Sequence, residues 1–271
     1  MNMPQVIVSG GFDDIRSGDL RFLEEAAKLG ELAVLLWSDA RLQSATGAAP
    51  KFPLAERSYF LNAVRYVSRV VEAAADQNPD ELPRELRAGI WADRESSANA
   101  HREGFSRTHG MVYRVFKSPE LAGFPEPPPM PSAPGRRKVV ATGCYDWFHS
   151  GHVRFAEEAA SYGDVYICLG SDANVRLLKG PGHPLLTEAE RRYVVGSIKY
   201  VKQALITTGS GWVDADPEIR RLKPDIYIVN EDGDKGGKRE YCQQLGIEYV
   251  VLKRTPAPGL PQRSSTKLRG F

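Results

Sequence analysis

From residue 138 to residue 252, short apolar runs alternate with stretches in which apolar positions return every three or four residues. The first pattern suits strands buried on both faces and the second suits helices with one buried stripe. Strands are predicted at Val139–Thr142, Val165–Gly170, Ala204–Thr207, Ile226–Asn230 and Ile247–Leu252. Helices are predicted at Gly151–Ser161, Thr187–Tyr200, Asp216–Leu222 and Lys238–Leu245, the third stopping before Pro224. Thr187 stands at an N-cap, with Glu190 at the capping-box position. Strands separated by helices imply βαβ units, hence an α/β fold with a parallel sheet and helices on both faces. Ligands of such sheets bind at the carboxyl ends of the strands. His149, Asp172, Asp232 and Arg254 all follow predicted strands, so they are expected on one rim.

The strand–helix–strand pattern occurs twice. Residues 10–39 match residues 143–172 at a constant offset of 133, with 14 identities in 30 positions and no gap. This is a domain duplication, because the period far exceeds that of a solenoid. Between the copies, residues 118–137 carry seven prolines, a composition that excludes a helix and suits an extended linker. The expected layout is therefore a first domain at 1–118, a linker at 119–137 and a second domain at 138–271.

Bulk properties exclude more than they specify. With 42% hydrophobic residues the 271-residue chain can fill two cores. A formal charge of +2 gives no argument for nucleic acid. No signal-peptide pattern and no apolar run of membrane length is present, so a cytoplasmic protein without membrane attachment is expected. The three cysteines, Cys144, Cys168 and Cys242, are odd in number and scattered, which suits reduced thiols better than disulfides or zinc.

The chemistry concentrates at His149-Ser150-Gly151-His152, between a strand and a helix start. The first N–H groups of a helix are unpaired and the dipole there is positive, which favours anions. Two imidazoles at that spot make a site suited to a polyphosphate. In the first copy the two histidines are Arg16 and Asp19.

With Gly143-Cys144-Tyr145-Asp146, Gly170-Ser171-Asp172, Lys179-Gly180-Pro181-Gly182, Glu190-Arg191-Arg192, Pro224-Asp225, Arg254-Thr255 and Ser264-Ser265-Thr266 in order, residues 138–269 resemble the HxGH nucleotidyltransferases, the cytidylyltransferase-like family. The resemblance implies two tandem Rossmann-like domains. It implies that an acceptor phosphate attacks the α-phosphorus of a nucleoside triphosphate and releases pyrophosphate. His149, His152 and Lys179 take the catalytic positions. Gly143, Cys144, Tyr145, Gly151, Asp172, Arg191, Asp232, Arg254, Ser264, Ser265 and Thr266 take nucleotide-binding positions, and Asp146 an acceptor-binding one. Magnesium is expected with the triphosphate. Asp172 has a twin in Asp39 and Arg191 in Arg57, so a role in the fold stands beside the functional one. Arg263 is a rival to Arg254, because eight residues separate Thr255 from Ser264.

Two branches compete for the nucleotide. Ile198-Lys199-Tyr200-Val201 and Arg254-Thr255 look like glycerol-phosphate and ethanolamine-phosphate cytidylyltransferases, which favours CTP. Lys179-Gly180-Pro181-Gly182-His183-Pro184 looks like heptose-phosphate adenylyltransferases. The acceptor is a phosphorylated alcohol, amino alcohol or sugar, or a phosphonate. The first half is expected to be a degenerate, inactive copy, since a carboxylate at Asp19 repels a triphosphate. It could serve as the partner in an intramolecular pseudo-dimer, with further homodimerisation open. A non-catalytic nucleotide-binding protein is the alternative of another class. A dinucleotide-binding dehydrogenase is disfavoured, because no G-x-G-x-x-G follows the first strand of either half.

Overall fold

The computed structural model describes residues 3–87 and 89–268. The chain divides into two compact units, Met1–Gly123 and Phe124–Phe271. The first contains β1 (Gln5–Gly10), α1 (Ser17–Ala27), β2 (Glu31–Leu36), α2 (Asp39–Thr46), α3 (Leu54–Ala63), β3 (Arg69–Glu72), β4 (Ile90–Arg94), α4 (Ala100–Thr108) and β5 (Val112–Phe116). The second contains β6 (Lys138–Gly143), α5 (Ser150–Ala160), β7 (Asp164–Leu169), α6 (Asp172–Lys179), α7 (Glu188–Gly196), β8 (Val201–Ile206), α8 (Asp216–Leu222), β9 (Ile226–Asn230), α9 (Lys238–Leu245), β10 (Glu248–Leu252) and α10 (Ser265–Leu268).

Each unit has one five-stranded sheet, all parallel, ordered β3-β2-β1-β4-β5 and β10-β9-β6-β7-β8. Read from its other edge, the second order repeats the first. The α/β class and the two Rossmann-like units are as the sequence implies. In both, the first strand sits centrally and the chain leaves it first to one side, then to the other. That reversal opens a crevice at the carboxyl ends of β1 and β4, and of β6 and β9.

The strands lack alternation because helices cover both faces. Val139, Val140 and Ala141 of β6 are all buried, as are Ile226, Tyr227, Ile228 and Val229 of β9. Helix α5 buries Val153, Ala156 and Ala159 and turns Arg154 outward to Glu157 and Glu158. Its return to the sheet requires a residue without a side chain. A Cβ on Gly163 would lie 2.2 Å from the Arg137 carbonyl oxygen, and one on Gly30 2.0 Å from that of Pro4. Close backbone approach therefore accounts for this retained pair.

Three expectations change. Helix α7 ends at Gly196, not Tyr200, and β8 begins at Val201, not Ala204. Val194, Val195, Ile198 and Val201 are buried at helical spacing, yet the last two belong to a turn and a strand that face the same core. Asp172, expected to have a role in the fold or at the nucleotide, is not the N-cap of α6: Ser171 holds that position, its hydroxyl accepting from the Asn174 N–H. The proline-rich stretch, expected to be a linker throughout, is partly attached to the second unit. The Phe124 ring packs near Tyr193, Glu126 pairs with Arg192, and the Met130 N–H bonds to the Lys202 carbonyl. No helix among the described residues is long and apolar enough to cross a membrane.

Candidate active site

A cleft of about 190 Å³ opens where β6 and β9 end. One wall is the loop after β6 and the start of α5: Gly143, Cys144, Tyr145, His149, Gly151 and His152. The other is the end of β9 and the residues after it: Asn230, Asp232, Gly233, Lys238 and Arg254. Phe155, from the second turn of α5, also lines it.

Helix α5 builds the histidine pair through its own cap. His149 is the N-cap residue and its Nδ1 accepts from the Gly151 N–H at 3.1 Å. His152 reaches back, its Nδ1 accepting from the His149 N–H at 3.3 Å. Both rings thus use Nδ1 as acceptor, which places the proton of each neutral imidazole on Nε2. The ring centroids are 4.1 Å apart. Tyr145 and Phe148 each lie 5.2 Å from His152, centroid to centroid. That enclosure strips water from His152 and holds its pKa well below the ordinary histidine value; the nearby His149, Arg254 and Lys179 lower it further. His152 is therefore neutral at pH 7 and donates through Nε2–H.

Two glycines make room. A Cβ on Gly151 would lie 2.9 Å from the His149 ring, and one on Gly143 2.8 Å from the Tyr145 ring. The Ser265 hydroxyl donates to the Trp147 carbonyl at 3.1 Å, which brings the start of α10 to the loop before α5. Ser264 lies just before α10; Thr266 falls within it, and its side chain is outside the described residues.

Several expected site residues make contacts that hold the surrounding loops. Arg191 is fully buried. Its guanidinium donates to the carbonyls of Leu186, Cys144 and Gly170 and to Asp172 Oδ1, at 2.8–3.0 Å. Arg57 repeats this in the first half, donating to Phe52, Gly11 and Trp37 carbonyls and to Asp39. The pair ties together the loops after the first two strands of each sheet, and neither Arg191 nor Asp172 lines the cleft. Asp146 is also buried. Its Oδ1 accepts from the Leu185 and Leu186 N–H groups, as Asp13 accepts from Lys51 and Phe52. Asp146 is thus placed as a loop clamp, not on the cleft surface. Lys179 is exposed at the end of α6, outside the cleft lining, with its charge felt at His152.

Arg254 lines the cleft, pairs with Asp232 and donates to the Arg263 carbonyl at 3.0 Å. Its rival Arg263 lines a smaller adjoining cavity with Gly151, Phe155 and Gln262. Lys238, Asn230 and Phe155 complete the cleft and were not singled out in the sequence. Their signal was topological: a strand end, a helix start and the inner face of α5.

The first half keeps a cleft of about 160 Å³ at the equivalent place. Every residue lining it has a counterpart lining the second cleft, Phe12 for Tyr145, Asp19 for His152 and Arg94 for Asn230 among them. Asp19 keeps the capping function, accepting from the Arg16 N–H at 2.8 Å. Its other oxygen pairs with Arg94 at 2.7 Å. A Cβ at Gly18 would meet nothing within 4 Å, so the steric reason for Gly151 is lost with the imidazole.

Comparison with known proteins gives the family. A family model described as cytidylyltransferase-like matches residues 140–270. The chain is 34% identical over 119 residues to an FAD synthase of Ferroglobus placidus, covering 43% of this chain and 75% of that protein. It is 30% identical over 169 residues to the bifunctional protein HldE of Sulfurimonas denitrificans, covering 59% of this chain and 31% of that one. With the HldE of Aliarcobacter butzleri it shares 33% identity over 120 residues, and it spans only 24% of that protein's length. A solved lipopolysaccharide core biosynthesis protein from Thermoplasma volcanium superposes with a TM-score of 0.38 at 22% identity, over 45% of this chain and 99% of that one. With a cap-built histidine pair in the crevice and most of a curated relative's length matched, the chain belongs to the cytidylyltransferase-like nucleotidyltransferase family.

Proposed function

We propose that the second half transfers a nucleoside monophosphate to a phosphorylated small molecule. The observation that carries this reading is the capped histidine pair. Backbone N–H groups occupy both Nδ1 atoms, which leaves Nε2–H as the donor of each neutral ring beside the cleft, at a helix N-terminus. A triphosphate there lies with its α- and β-phosphate oxygens toward His149 and His152. An acceptor phosphate oxygen attacks the α-phosphorus, the bond to the bridging β-oxygen breaks, and pyrophosphate leaves. The protein aligns this displacement and stabilises charge on the phosphoryl oxygens. Ser264, Ser265 and Thr266 hold the outer phosphates, and Lys179 neutralises charge at the cleft mouth.

Magnesium enters with the nucleotide. Among the described residues no group of three or more His, Cys, Asp or Glu side chains could hold a metal. The cleft carboxylate Asp232 is paired with Arg254. The residues present suit a metal held by phosphate oxygens, whose chemistry is to shield phosphate charge.

ATP is the favoured nucleotide. An FAD synthase must attach an adenylyl group, and relatives named HldE point the same way through the resemblance to heptose-phosphate adenylyltransferases. The argument for CTP leaned on residues 198–201 and on Arg254-Thr255; of the first set, Ile198 and Val201 are fully buried while Tyr200 donates to Glu157. Core residues carry no nucleotide information, so CTP becomes the second reading. In the first half, Arg16 and the Asp19–Arg94 pair support a non-catalytic copy.

The test is pyrophosphate release with ATP or CTP against phosphorylated sugars, alcohols and amino alcohols. Release with one pair, lowered about 100-fold or more by His152→Ala, is expected. Absence of nucleotide binding would overturn the reading.

A further inference from the structure

Each half serves as a reference for the other. In β1 and β6, Val6 pairs with Ile90 and Val139 with Ile226, which fixes an offset of 136 from β4 and β9 onward. On that offset Arg102 corresponds to Lys238 and Asp93 to Val229; Asp80 lies upstream of β4, and the second half has Asp216 at the start of α8. In the first half the cation is fully used. Arg102 donates to Asp80 at 2.8 Å, to both oxygens of Asp93 at 2.8 and 3.0 Å, and to the Pro79 carbonyl at 3.0 Å.

The second half retains a cation and loses its anions. Val229 cannot pair, and Asp216 is engaged by Arg220 and by the Tyr241 hydroxyl. The Lys238 ammonium donates to the Gly233 carbonyl at 2.6 Å, one of its three donor directions. Among the described residues no carboxylate is in ion-pair contact with it. Its cleft neighbours Asp232 and Arg254 neutralise each other, and His152 is neutral. Lys238 is therefore a cation lining the cleft with no ion-pair partner among the described residues. Burial, with Lys235 nearby, lowers its pKa, while Asp234 opposes the shift; an arriving anion relieves that cost.

Its position separates it from the nucleotide end. The cavity that continues past α5 and Arg263 excludes Lys238. The one on the other side is lined by Lys238 and Thr142 with Trp212, Tyr227 and Tyr241. A triphosphate lying on α5 leaves the Lys238 end to the second substrate.

We propose that Lys238 contacts the acceptor, holding an anionic group of it and discriminating against acceptors that carry an ammonium group at that end. The inference rests on the nucleotidyl-transfer reading, so one arm of the test is independent of turnover. Reductive methylation of the full chain with 13C-formaldehyde makes its lysines visible by NMR, and K238Q identifies the Lys238 signal. Inorganic phosphate is titrated into the protein saturated with whichever nucleotide moves the histidine signals, or into the unliganded protein if neither does. The Lys238 signal is expected to move, and phosphate affinity to fall about tenfold in K238Q. A stationary signal overturns the proposal. Histidine signals that ignore both nucleotides count instead against the transfer reading. With a turning-over acceptor, K238A is expected to raise the acceptor KM about tenfold and leave the nucleotide KM unchanged, with K238R restoring part of the loss. An equal rise in both KM values overturns it.

Discussion

Gly151 and its twin Gly18 occupy the same place in two helices and carry different burdens. Because a Cβ at 151 meets the His149 ring, Gly151→Ala is expected to displace that imidazole, with a loss in kcat/KM of about 100-fold or more. Gly18→Ala meets open space in a helix, so it is expected to stabilise the first unit by up to about 1 kcal/mol. Thermal unfolding and steady-state rates of the two variants check both. His152 gives a pH signature. Its pKa is lowered in the folded protein, so the unfolded chain takes up its proton first as pH falls. The stability associated with its neutral form is present above the unfolded pKa near 6.5 and is lost as pH drops from there toward the lower folded value. Urea midpoints between pH 7.5 and 5 should therefore decline less steeply in His152→Gln. An unchanged slope would show that the ring is not held neutral. The histidine pair was legible from sequence because its motif is local. The clamp made by Asp146 was not, because its partners are backbone N–H groups, which leave no mark on residue identity; for Arg191 the twin Arg57 gave a fold role only as one of two readings.

Among the elements, those with strong punctuation were legible to the residue. Helix α8, strand β9 and helix α9 have the expected bounds, with Pro224 after one helix and Gly246, at φ +68°, after the other. The end of α7 was obscured because its apolar spacing runs on into a turn packed on the same core. Arg57 and Arg191 show what holds the crevice elements in register. Each replaces a set of missing backbone partners at the ends of two strands and the start of a helix. Arg191→Ala leaves buried carbonyls of Leu186, Cys144 and Gly170 without their donor, and is expected to cost the second unit about 3 kcal/mol. Arg57→Ala should do the same to the first unit. Urea unfolding of the full chain, followed by resolved NMR signals from each unit, tests this; a loss below about 1 kcal/mol would contradict the tie described here.

At the scale of the whole chain, the two units have sheets of one strand order and clefts with corresponding linings, but different charged groups and donors. Where the second half has His152, Asn230 and a Lys238 with no ion-pair partner among the described residues, the first has Asp19 paired with Arg94, and Arg102 paired with Asp80 and Asp93. Binding of one nucleotide per chain is expected by calorimetry, lost in His149→Ala/His152→Ala and retained in Asp19→Ala. The repeat was readable over residues 10–39, where loop and helix identities persist. Its continuation through β4 and β5 was hidden, because there the register is kept by strand pairing while the residues have diverged.

The proposed transfer requires attack at the α-phosphorus. It is tested most directly by supplying nucleotide labelled with phosphorus-32 at either the α or the γ position, together with the acceptor. The α label is expected to enter the acceptor product and the γ label to leave in pyrophosphate, with both transfers lost in His152→Ala. A γ label in the acceptor, or in inorganic phosphate alone, would contradict it.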